Sequence, residues 1–212
     1  MKLTKFGHSC MLVEEGDARI LIDPGMFSAG YEDLERIDVV LVTHQHGDHV
    51  APETLAKVRA KNPDVQVRAE AETAAMLGEA GVSGIEIVKA GDEFAVKGAR
   101  VQVFGESHAI IHPAIPGIGN VGYMIGGRFF YPGDKFTNPG VAVEILGMPL
   151  GAPWLKVAEV VDYVLALKPK LAVPMHDAVL AMPDMHINIV RNLTKDSGVE
   201  VRVIENGTSA EL

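Results

Sequence analysis

Short apolar runs broken by turn residues set the rhythm of the N-terminal part. Lys2–Phe6, Cys10–Glu14 and Ala18–Ile22 read as strands, with Glu15-Gly16-Asp17 as a turn. Ile37–Val42 is almost continuously apolar, as a strand covered on both faces should be. Ala51–Lys61 predicts a helix: Pro52 suits its first turn and Asn62-Pro63 ends it. Val65–Ala69 predicts a strand, and Glu70–Glu79 a helix stopped by Gly81.

Further strands are predicted at Ile85–Val88, Glu93–Val96 and Arg100–Phe104, the last two joined by a Lys97-Gly98 hairpin turn. Ala109–Asn120 is a loop rich in proline and glycine. Val121–Ile125 and Arg128–Tyr131 flank a second hairpin turn, Gly126-Gly127, and Val141–Leu146 is strand-like. Lys156–Leu167 has helical periodicity, Leu171–Pro174 is a short strand, Asp184–Lys195 a helix and Val199–Ile204 a last strand. Strands dominate each half and helices come in blocks, which predicts α+β architecture with packed sheets and helices outside.

Composition narrows the class. At 212 residues, with 48% hydrophobic and 22% charged residues, the chain suits one globular domain over 1–212 rather than a disordered segment. A net charge of −9 disfavours a broad nucleic-acid surface. The single cysteine forbids an intrachain disulfide. Met1–Lys5 lacks a signal-peptide apolar core, and no run approaches the ~20 apolar residues of a membrane span. The expectation is a cytoplasmic protein acting on a small molecule, without nucleic-acid or membrane partners. A homo-oligomer is an open prior.

The chemistry concentrates in Thr43-His44-Gln45-His46-Gly47-Asp48-His49, directly after the covered strand. Two residues apart in extended chain, His44 and His46 point to one side. Gly47 permits the turn that brings Asp48 and His49 back. Four metal-competent side chains in six residues suit zinc, manganese or iron.

His-x-His-x-Asp-His after an apolar strand resembles the metallo-β-lactamase superfamily, and the family's other motifs follow in order. Asp23 sits in Leu21-Ile22-Asp23-Pro24-Gly25, His108 in Gly105-Glu106-Ser107-His108, Asp134 in Tyr131-Pro132-Gly133-Asp134, and His176 in Val173-Pro174-Met175-His176. The opening Gly7-His8-Ser9-Cys10 resembles the small single-domain branch of metal-dependent hydrolases that includes the ascorbate-phosphate lactonase. The resemblance implies a four-layer αββα sandwich of two related halves. It implies two divalent ions, zinc first with manganese or iron as alternatives. One would take His44, His46 and His108, the other Asp48, His49 and His176, with Asp134 between them. A bridging hydroxide would then attack an ester, lactone or phosphodiester bond, with Asp48 orienting it.

Asp23 is implied to hold a ligand imidazole from outside, with a plain Asp-Pro-Gly turn as the alternative. His112 is an alternative to His108 as ligand, and otherwise a catalytic proton donor or substrate contact. His8, Lys135 and Trp154 are candidate substrate contacts. Family members that process RNA carry a basic clasping arm, thioester hydrolases a C-terminal helical domain, and diiron redox members a Glu where this chain has His46. None of these is expected here. A metal-binding protein without turnover is the remaining alternative class.

Overall fold

Val39–Val42 is buried at every position because each face has a core of its own. Val39 and Leu41 enter a core between two sheets, whereas Val40 and Val42 enter one beneath helices. The same division of faces runs through the computed structural model, which describes Met1–Leu212.

The first half of the chain forms β1 (Lys2–Lys5), β2 (Met11–Glu15), β3 (Ala18–Ile22), β4 (Val39–Val42), α1 (Pro52–Lys61), β5 (Gln66–Ala69), α2 (Ala71–Glu79) and β6 (Ile85–Ile87). The second forms β7 (Glu93–Val96), β8 (Ala99–Phe104), β9 (Gly122–Ile125), β10 (Phe129–Tyr131), β11 (Ile145–Pro149), α3 (Val157–Leu167), β12 (Leu171–Met175), α4 (Pro183–Thr194), β13 (Glu200–Val201) and β14 (Ser209–Glu211). β14 returns to the first sheet, ordered β14-β1-β2-β3-β4-β5-β6; the other runs β13-β12-β11-β10-β9-β8-β7. Each sheet has three antiparallel pairings followed by three parallel ones. The halves therefore share one pattern, in a four-layer αββα sandwich.

Three cores hold the layers. The central one has 23 buried residues, with Ile20, Ile22 and Leu41 from one sheet facing Tyr123, Tyr131 and Val173 from the other. A second lies under α1 and α2, anchored by Leu55, Val58 and Leu77. A third lies under α3 and α4, anchored by Val160, Val164, Ile187 and Val190. Burial of this apolar surface is the main favourable term in folding.

Two expectations need correcting, and one strand carries no sequence signal. The strand expected at Val141–Leu146 begins four residues later, because pairing with Phe129 on β10 and Leu171 on β12 both start at Ile145. Val141 is apolar but exposed. The strand expected at Val199–Ile204 shrinks to Glu200–Val201, where its register with β12 ends. β14 was not foreseen: Ser-Ala-Glu carries no strand pattern, and only pairing with β1 makes it one.

Candidate metal centre

The chemistry sits on loops that leave the strands at one edge of the sandwich. Asp23 follows β3, the histidine loop follows β4, Asp134 follows β10 and His176 follows β12. His108 comes from the loop after β8, Trp154 from the loop after β11. His44, His46, His108 and Asp134 bring one potential ligand atom each to within 4.8 Å of one another. His49, Asp134 and His176 form a second such group, and His8, Asp48 and His176 a third. Asp134 belongs to two of the groups, and its Oδ1 lies 3.2 Å from Nε2 of both His49 and His176. Asp48 Oδ2 lies 3.2 Å from His176 Nε2.

Three imidazoles have their outer nitrogen committed. His49 Nδ1 donates to Asp23 Oδ2 at 2.7 Å, His108 Nδ1 to the carbonyl of Ala109 at 2.5 Å, and His176 Nδ1 to the carbonyl of Gly151 at 2.6 Å. That leaves each Nε2 with its lone pair facing inward, as a metal ligand requires. The Nε2 atoms of all three, with Asp134 Oδ1, are buried and lack a well-aligned hydrogen-bond partner. Orphaned buried acceptors are costly, and cations at the two ligand groups that share Asp134 would answer all four. The donor set of imidazoles and carboxylates therefore fits divalent metal.

Asp23 is fully buried and does more than turn the chain. It takes the Thr43 N–H on Oδ1 at 2.8 Å, and the Thr43 hydroxyl and His49 Nδ1 on Oδ2, both at 2.7 Å. Its backbone is left-handed, φ +46°, which aims the carboxylate at the histidine loop. Gly25 lies so close beneath that loop that a Cβ would come 1.9 Å from the Asp48 carbonyl oxygen. Gly133, at φ +64°, leaves a Cβ 2.4 Å from Asn120 Oδ1, which accepts the Asp134 N–H at 3.0 Å.

Charges follow the same geometry. Burial holds the His44 imidazole well below its ordinary value. Burial would lower His49 too, but the Asp134 and Asp23 carboxylates prevail and push it up. His176 is likewise raised against its burial, to about 9, by Asp134 and Asp48. Both carboxylates are held well below the usual range despite burial: Asp48 chiefly by His176 and His8, Asp134 chiefly by His49.

Some candidates lie elsewhere than expected. His8 is fully buried and lines neither cavity at the site. Its Nδ1 accepts the Ala178 N–H at 3.1 Å, which puts the proton of the neutral ring on Nε2, 3.3 Å from Asp48 Oδ2. Lys135 also lines neither cavity. His112 stays outside the ligand groups, exposed on a cavity wall with Nδ1 accepting the Ala114 N–H. Trp154 does line the cavity, and its indole N–H donates to Asp134 Oδ2 at 2.8 Å. Thr43, Ser9 and Asn120 escaped the sequence reading. Ser9 donates to the Asp48 carbonyl at 2.5 Å. Their only signal was adjacency to a motif, because each acts on a distant segment: Thr43 on the Asp23 carboxylate, Ser9 and Asn120 on backbone groups.

Comparison with known proteins agrees with this geometry. Residues 2–176 match the family described as Beta-lactamase superfamily domain. Protein Rv0786c of Mycobacterium tuberculosis is 40% identical over 209 residues, 96% of each chain. A UPF0173 metal-dependent hydrolase of Methanocaldococcus jannaschii is 27% identical, over 99% of this chain and 100% of its own. Among solved structures, the metallo-beta-lactamase fold protein YhfI from Bacillus subtilis superposes with a TM-score of 0.76 at 15% identity, over 99% of this chain and 98% of that one.

Proposed function

Because this chain belongs to the metallo-β-lactamase superfamily and is one of its metal-dependent hydrolases, we propose that it cleaves an ester, lactone or phosphodiester bond of a small molecule with two adjacent divalent ions. The observation that carries the reading is the set of buried, inward-facing lone pairs on His49, His108, His176 and Asp134. His44, His46 and His108 would hold one ion. Asp48, His49 and His176 would hold the other, with Asp134 shared. Zinc suits these donors best, and manganese and iron accept them too.

Bound ions of this kind supply Lewis acidity and lower the pKa of water toward about 7. The protein does the rest. Trp154 occupies Asp134 Oδ2 and so turns Oδ1 toward His49 and His176. Asp48 stays ionised at neutral pH and lines the cavity, where it can accept a proton from water. In the net reaction the oxygen of water bonds to the carbonyl carbon or phosphorus. The bond to the leaving oxygen breaks, and that oxygen takes a proton.

The test is metal content by mass spectrometry together with hydrolysis of a small lactone set and an activated phosphodiester, each with and without chelator. Bound metal near two ions per chain and chelator-sensitive turnover are expected. Turnover indifferent to chelator, or metal bound without turnover of either class, would overturn the proposal.

A further inference from the structure

Two cavities meet at the candidate metal centre, and both are lined by His46 and His108. The first, of about 290 Å³, is walled by Met26, Phe27, Pro153 and Trp154 around Asp48 and Asp134. The second, of about 300 Å³, runs along the loop after β8 and is walled by Ile110, Ile111, Ile115, Pro116 and Ile118. No lysine or arginine lines either one. Met26, Phe27, Ile110 and Ile115 are 52–75% exposed, although nothing in the sheet packing requires large apolar side chains there. Single exposed apolar residues are ordinary, but several gathered on one rim mark a binding surface.

We infer that the Ile110–Ile118 cleft is an apolar subsite that receives an uncharged alkyl or acyl arm of the substrate. The scissile carbonyl would then lie over His46, His108 and Asp134. The inference rests on the hydrolase reading and narrows it to carboxylic esters or lactones bearing such an arm. The cleft opens onto the two shared histidines, so whatever fills it is in line with the reacting bond. A phosphate or sugar-phosphate arm would meet mainly isoleucine and proline there, with His112 beside them and no lysine or arginine to offset its lost hydration. Nonpolar arms lose nothing comparable and bury apolar surface.

The experiment has two readouts on the metal-loaded protein. One is calorimetric binding of straight-chain amides from butanamide to octanamide, which are uncharged. The other is kcat/KM for nitrophenyl esters over the same chain lengths, beside a nitrophenyl phosphodiester. Affinity is expected to tighten about two- to fourfold per added methylene, with kcat/KM rising in parallel. Ile111→Ser and Ile115→Ser should flatten both series, whereas Leu193→Ser, exposed on α4 outside both cavities, should not. Chelator-sensitive ester turnover without chain-length dependence would overturn the apolar subsite and leave the hydrolase reading standing. Chain-length-dependent binding that Ile115→Ser abolishes, with neither ester nor phosphodiester turned over, would support the subsite and sink the hydrolase reading instead. Preference for the phosphodiester would overturn the subsite. So would an Ile115→Ser change in oligomeric mass with the series unaltered, because the patch would then belong to a second copy of the chain.

Discussion

Asp23 accepts three hydrogen bonds from two residues and has no solvent to fall back on. Its carboxylate fixes both the start of the histidine loop and the tautomer of His49. Outer partners of this kind typically contribute 10–100-fold in metal affinity. Asp23→Ala should therefore weaken metal binding by about 10–100-fold, read by titration against a competing chromophoric chelator. Unchanged affinity would make Asp23 a plain turn residue. The raised His176 imidazole makes a second expectation, with a definite sign. Its metal-free folded value of about 9 exceeds the unfolded value of about 6.5. The stability it contributes is full below about pH 6.5 and disappears as pH rises through about 9, of order 3 kcal/mol in all. The depressed carboxylates act in the opposite sense: their contribution is present above about pH 4 and lost on acidification. Burial of neutral His44 costs stability below about pH 6.5, so thermal melts in chelator should peak near about pH 6.5 and fall on either side. Excess divalent metal should move the optimum upward, since ions displace those protons. Melts in chelator that climb from pH 6.5 to 9 would contradict the charge assignment. At this scale the ligands were legible in sequence because imidazole and carboxylate declare their chemistry. His8 was legible as a neighbour of the site but not as a buried partner of Asp48, because only the fold brings Ala178 to its Nδ1.

At the scale of elements, the loops depend on close approach more than on attraction. The β3 exit passes under the histidine loop with room for hydrogen alone at Gly25. Gly25→Ala must push Asp48 aside or abandon the turn, so a loss of about 3 kcal/mol or more and of most bound metal is expected. Denaturant melts and metal analysis would read it. Gly117→Ala, where a Cβ meets nothing within 4 Å, should change neither. The strands were legible where one face or both are apolar, as in Ala18–Ile22 and Val39–Val42. They were misplaced where apolar sequence continues beyond the paired stretch, as at Val141. β14 was invisible because Ser209–Glu211 becomes a strand through its partner, Lys2–Thr4, some 200 residues away.

On the scale of the whole molecule, the histidine loop hangs on one sheet and His108, Asp134 and His176 on the other. A cation shared by these ligands ties the sheets together at the edge where the central core ends. Ions that bind the folded chain alone add about 4 kcal/mol at a thousand times their dissociation constant. For a chain of this size that corresponds to a melting temperature about 8–16 °C higher with metal than with chelator. Scanning calorimetry would measure it, and equal melting temperatures would mean the ligands belong to no functioning site. The layered fold itself was expected from sequence. The mirrored pairing pattern of its halves lies in hydrogen bonds between strands that no residue pattern spells out.

The indole of Trp154 is the chain's only one, and it is joined by a hydrogen bond to the carboxylate at the meeting point of two ligand groups. The molecule thus carries an optical gauge of its own loading. Charge arriving at Asp134 alters the field along the indole N–H, so the ultraviolet emission of the untagged protein should shift stepwise as ions are added. Trp154→Phe would silence that signal and release Asp134 Oδ2, so occupancy can be followed by light in the unaltered protein without attaching a dye.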